Sequence, residues 1–129
     1  MILDTSQSPP IEEISNKVLQ AAKDTLGDKL EKVILYGSYA RGDYDNESDI
    51  DFFILARVPQ EEAGSWRRAI NNQIPGIDLE YDIIVSVKVT GSSIFYEYSD
   101  VLPFYMNVLR EGQVIYDGWR SNEFGQISY

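Results

Sequence analysis

The sequence predicts a single mixed α/β domain, a mixed β-sheet flanked by helices, and three observations carry that expectation. Apolar residues recur at helical spacing in some stretches and form short, nearly unbroken runs in others. Hydrophobic residues make up 43% of 129 positions, enough to fill the core that a domain of this length encloses. No repeat, low-complexity tract or linker divides the chain, so residues 11–120 read as one domain, with a polar lead-in over 1–10 and a tail over 121–129.

Each element follows from local chemistry. Ser8, Pro9 and Pro10 suit a helix start, because proline is tolerated where the first-turn amides have no partner. Ile11, Ile14, Val18, Ala22 and Leu26 then form one apolar face, and Gly27 can end the helix. Lys32 to Tyr36 reads as a strand stopped by Gly37. Ile50 to Ala56 reads as a second strand, apolar enough to be buried on both faces. Gln60 to Gln73 reads as a helix with Ala63, Trp66 and Ile70 on one side, closed by Pro75 and Gly76. A third strand is expected over Leu79 to Val89. A helix from Pro103 to Gly112 packs through Phe104, Val108 and Leu109, and Val114 to Tyr116 makes the last strand. The expected order is α-β-β-α-β-α-β.

Composition removes several chemistries. The chain has no His and no Cys, so Ser-His-Asp and Cys-His nucleophiles, imidazole or thiolate metal sites and disulfides are excluded. Base work and metal binding fall to carboxylates, which select hard cations such as Mg²⁺ and Mn²⁺. With 21 Asp and Glu against 11 Lys and Arg, the formal charge of −10 disfavours direct binding to nucleic acid or to an anionic membrane. No basic, apolar leader stands at the N-terminus and no apolar run has membrane-spanning length, so a cytoplasmic location is expected.

The segment from Gly37 to Asp51, GSYARGDYDNESDID, concentrates the chemistry. Gly37 permits a tight turn after a strand, and Ser38 is placed to cap a short helix through Ala40 and Arg41. Amides at such a turn, beside a serine hydroxyl, suit phosphate oxygens. Asp49 and Asp51 stand two apart at a strand start, so their side chains leave one face. Paired carboxylates repel unless a cation lies between them, and Mg²⁺ meets that need. A third carboxylate is expected from a neighbouring strand. Asp82 is the choice, since the adjacent Ile83-Ile84-Val85 makes its desolvation the most costly; Asp78 and Glu80 share its parity and remain alternatives. Gly37 and Gly42 imitate half a P-loop, but Asp43-Tyr44 replaces the required Lys-Ser/Thr. An EF-hand fails at Ser48 and Ile54. Asp43, Asp45 and Glu47 read as water-facing loop acids. Arg41 is divided evenly between a phosphate and an ion pair with Asp43 or Asp45. Tyr39 and Tyr44 read as covers of the loop ahead of platforms for a base.

Gly37-Ser38, ten residues, then Asp49-Ile50-Asp51 resembles the signature of the DNA polymerase β-type nucleotidyltransferase superfamily. The fuller string through Arg41 and Gly42 resembles its minimal nucleotidyltransferase branch. The strong match covers residues 33–55, and a weaker one extends through Asp82 to Leu109-Arg110-Glu111-Gly112 and Ile115-Tyr116. The resemblance implies transfer of a nucleoside monophosphate, AMP from ATP, to an acceptor hydroxyl with release of pyrophosphate. It implies Gly37 and Ser38, with Arg41, as phosphate-binding residues, and Asp49, Asp51 and Asp82 as ligands of two Mg²⁺ ions, Mn²⁺ being an alternative. Asp82 would also accept the acceptor's proton. Larger members carry an acceptor-binding domain for which this chain leaves no room, so the acceptor is expected on an oligomer interface or a separate protein. In this branch that partner is a small helical HEPN toxin, with the nucleotidyltransferase as its antitoxin. The alternatives are an aminoglycoside-type small-molecule transferase and a nucleotide-binding antitoxin that acts without catalysis.

Overall fold

The computed structural model describes residues 10–45 and 47–118. Trp119 and the tail from Ser121, like the lead-in before Pro10, lie outside the described residues. The elements are α1 (Ile11–Leu26), β1 (Leu30–Tyr36), α2 (Ser38–Arg41), β2 (Ile50–Ala56), α3 (Ala63–Asn71), α4 (Ile77–Tyr81), β3 (Val85–Gly91), α5 (Ser92–Tyr98), α6 (Pro103–Glu111) and β4 (Gln113–Asp117). Short 3-10 turns, Gly27–Lys29 and Gln60–Glu62, precede β1 and α3.

The four strands lie in the order β3-β2-β1-β4, with β1 antiparallel to both β2 and β4, and β2 parallel to β3. A parallel neighbour requires a crossover, and α3 with α4 supplies it. Alternation along the strands then sorts the side chains into two layers. Val33, Leu35, Ile50, Phe52, Ile54, Val87 and Val89 pack with Ile14, Val18 and Ala22 of α1, the apolar face foreseen in the sequence. On the opposite face Ile34, Phe53 and Leu55 pack with Phe95 of α5 and Val108 of α6. Phe52 to Ala56 are all buried, as expected of a strand covered on both sides. By the same alternation Asp51 lies on the α5–α6 face with Phe53.

The expected strand over Leu79–Val89 is corrected. Residues Ile77–Tyr81 form α4, and β3 starts only at Val85. Ile77 is buried and Tyr81, four residues on, packs on the same core, while Leu79 between them is 88% exposed. That is helical period, which over five residues also reads as strand alternation. Asp82 therefore stands outside any strand; it ends α4 in the left-handed conformation (φ 54°). The sequence reading also missed α5, a seven-residue helix rich in residues that favour strands.

Candidate functional site

β1 and β2 bring the two halves of the motif together. Tyr36, the last residue of β1, pairs with Asp51 near the start of β2, so Gly37 arrives beside the Asp51 side chain. Gly37 adopts φ 79°, and a Cβ there would lie 2.6 Å from Asp51 Oδ2. Both the backbone conformation and the close approach demand glycine. Ser38 opens α2 as its first helical residue, with Gly37 in the capping position and no side-chain cap, so its expected role as N-cap is corrected. Gly37 O accepts the amides of Ala40 and Arg41, and Ser38 O accepts those of Gly42 and Asp43. These bonds leave the Ser38 and Tyr39 amides outside the turn's own pairing, at the point where a phosphate is expected.

The connecting loop is held locally. Asp45 Oδ1 accepts the Glu47 amide at 2.9 Å, and Ser48 Oγ accepts the Asp45 amide at 3.0 Å. Asp43, Asp45 and Glu47 are exposed, as read from the sequence. Tyr39 and Tyr44 stack on each other, ring centres 4.3 Å apart and 12° from parallel. They cover the loop, the reading placed first for them. Arg41 Nε meets Asp43 at 3.2 Å and its Nη1 meets Glu111 at 3.5 Å, while Gln113 Nε2 donates to Ala40 O at 3.0 Å. Both ion pairs are solvent-exposed and weak, so the guanidinium can exchange them for a phosphate.

Asp49 is exposed and Asp51 half-buried. Burial first, and then the Asp49 charge, push the Asp51 carboxyl above its ordinary range, with Lys88 and Arg41 opposing. Burial and the Asp51 charge push the Tyr36 hydroxyl up to about 12, so it stays protonated. The pair thus sets a partly desolvated carboxylate, Asp51, beside an exposed one of like charge, a set of hard oxygen donors that fits a divalent cation whose remaining ligands are water or phosphate oxygens.

The three candidates for a third carboxylate have separate surroundings. Asp78 Oδ1 accepts the Val85 amide at 2.9 Å and so fixes the start of β3. Glu80 pairs with Lys17 of α1 at 3.6 Å. Asp82 is exposed at the end of α4. Among the described residues no three carboxylates gather as a metal-binding group. The residue of β3 opposite Asp51 is Ser86, and the next on that face is Lys88. Tyr36, Lys88 and Glu111 are the neighbours that sequence reasoning missed. For Lys88 the signal was present: Ser86, Lys88 and Thr90 alternate with Val85, Val87 and Val89.

Residues 13–108 match the family model of the nucleotidyltransferase domain. A candidate protein adenylyltransferase of Methanocaldococcus jannaschii is 31% identical over 105 residues, covering 81% of this chain and 97% of the relative. A second from that organism is 40% identical over 80 residues, covering 62% of this chain and 79% of the relative. Among solved structures, a chain of a toxin–antitoxin complex with AMP-PNP superposes with TM-score 0.52 at 21% identity, covering 84% of this chain and 77% of that one. A chain of a mutant MntA–HpeT toxin–antitoxin complex gives TM-score 0.51 at 18% identity, with the same coverages. The family match spans the turn, the acid pair and most of the fold around them: the chain belongs to the nucleotidyltransferase domain family.

Proposed function

We propose that the chain transfers AMP from ATP to a hydroxyl group of a protein partner. The observation that carries this reading is the contact of Gly37 with the Asp51 carboxylate, which makes the phosphate-suited turn and the acid pair one site. The acceptor oxygen would form a bond to the α-phosphorus as the bond to the bridging β-oxygen breaks, and pyrophosphate would leave. Asp49 and Asp51 would hold Mg²⁺ or Mn²⁺, which neutralises charge on the triphosphate and on the departing pyrophosphate. A second ion, as the resemblance implies, would share the same two side chains. The Ser38 amide and hydroxyl would orient the terminal phosphates, with Arg41 released from Asp43 to join them. The acceptor's proton would pass to a carboxylate, for which the resemblance offers Asp82.

The relatives named as candidate protein adenylyltransferases support a protein acceptor. The toxin–antitoxin structures share the fold and support a partner of that kind, for which the resemblance offers a small helical HEPN-type protein. Leu102, the residue that caps α6, and Met106 and Leu109 within it, spaced i, i+4, i+7, are 40–51% exposed, Leu109 contrary to the packing expected of it, a surface of the kind protein partners cover.

The test is incubation with Mg²⁺ and ATP labelled at the α-phosphate, with and without the protein encoded beside this chain. Label is expected on the partner with the wild type and absent with Asp49→Ala/Asp51→Ala. A partner that binds but never takes label would overturn transfer in favour of occlusion.

A further inference from the structure

The face of β3 that looks onto the acid pair carries a cation where an acid was expected. Asp51 stands opposite Ser86, and Lys88 follows on the same face, opposite Phe53. Strand spacing and rise put the Lys88 and Asp51 α-carbons about 8 Å apart. The Lys88 ammonium lies 5.9 Å from the centre of the Phe104 ring. That ring packs edge-on against Tyr36 at 5.6 Å and Phe53 at 5.7 Å. Tyr36 is in turn the β1 partner of Asp51. The ammonium thus rests over Phe104, a ring that Tyr36 and Phe53 brace, and a cation over an aromatic face loses part of its freedom before any ligand arrives.

Lys88 also makes no ion pair among the described residues; the ion pairs there engage Lys17, Lys32, Arg41 and Arg57. Arg41, the other cation acting on Asp51, is divided between Asp43 and Glu111. A nucleoside triphosphate together with the Asp49 and Asp51 carboxylates brings more negative charge than two divalent cations cancel. The chain itself is strongly acidic, so a cation beside the acid pair offsets repulsion that the rest of the molecule would impose on a polyphosphate.

We propose that Lys88 binds the β- and γ-phosphate oxygens of the nucleotide, gripping from β3 the group that leaves as pyrophosphate. This rests on the reading of the acid pair as a metal–nucleotide site. Gly37 and Ser38 would hold the triphosphate from one side and Lys88 from the other. The sheet then supplies positive charge one step along that face of β3 from the partner of Asp51.

The test titrates Mg-ATP, Mg-AMP and inorganic tripolyphosphate into the wild type, Lys88→Gln and Lys88→Arg, by calorimetry. Far-ultraviolet circular dichroism checks that each variant is folded. Lys88→Gln should weaken ATP and tripolyphosphate by about tenfold or more, the worth of one charge-assisted hydrogen bond. AMP affinity should be unchanged, and Lys88→Arg should recover most of the loss. Equal ATP affinity in wild type and Lys88→Gln overturns the proposal while leaving the nucleotide site standing. Equal losses for AMP and ATP would also overturn it, because the lysine would then serve the pocket at large. Absence of Mg-ATP binding by the wild type overturns this proposal and the underlying reading together.

Discussion

Gly37 has two independent reasons to be glycine, and they predict two separable effects. Its φ of 79° with ψ of −157° lies where essentially only glycine goes, so Gly37→Ala should cost about 1–3 kcal/mol on backbone grounds alone, read by chemical denaturation. Its new methyl group also displaces the Asp51 carboxylate, so nucleotide binding should fall even where the variant is folded. Asp51 behaves in the opposite sense. Because burial and Asp49 disfavour its charge, the folded chain holds the Asp51 proton more tightly than the unfolded chain, and stability falls as pH rises through that range. Asp51→Asn should therefore raise the melting temperature of the metal-free protein at neutral pH and flatten that slope. At this scale the sequence was largely legible, since a two-residue spacing in a strand start fixes which side Asp49 and Asp51 share. It was illegible for Asp82: a strand of alternating residues and one turn of helix differ only in whether Ile77 and Tyr81 meet, and the core decides that.

Elements were legible in proportion to their length. The sixteen residues of α1 carry a repeated face, whereas α4 has five residues and α5 has seven, too few to declare a period. Placing the start of β3 six residues early concealed the Ser86–Lys88–Thr90 face and put Asp82 in its stead. The left-handed Asp82 gives a direct check on the corrected boundary: Asp82→Gly should stabilise the fold by about 0.5–1 kcal/mol, because glycine takes that conformation without a Cβ penalty. Were residue 82 in a strand, the same change would destabilise. At the far end of the sheet α5 is tied down by a buried acid. Glu31, its side chain 4% exposed, accepts the Tyr96 hydroxyl at 2.7 Å and faces Arg57 at 3.6 Å. Tyr96→Phe should cost about 1–3 kcal/mol by leaving that carboxylate short of a donor. Burial and the bond to Glu31 raise the Tyr96 hydroxyl above tyrosine's usual 10.0. The resulting contribution is complete below pH 10 and is lost as pH climbs through the folded value, where the unfolded chain has already released its proton. The variant should lack that alkaline loss.

The whole molecule is a sheet used as a bracket. Its α1 side is a broad apolar layer, whereas the α5–α6 side has a smaller core that leaves the N-terminal end of β2 open to water. That asymmetry makes the acid pair reachable while its support stays rigid. Among the described residues no helix is long and apolar enough to cross a membrane. The absence of His and Cys, read first as an exclusion, suits this site, because carboxylates, a serine turn and two cations are what phosphoryl chemistry needs. The central claim is that Asp49 and Asp51 join the Gly37–Ser38 turn in one metal–nucleotide site, and calorimetric titration of ATP with and without Mg²⁺ tests it most directly. The wild type should bind ATP far more tightly with Mg²⁺ than without, and Asp49→Asn/Asp51→Asn should lose that difference while staying folded. An undiminished Mg²⁺ dependence in the double variant would contradict the account.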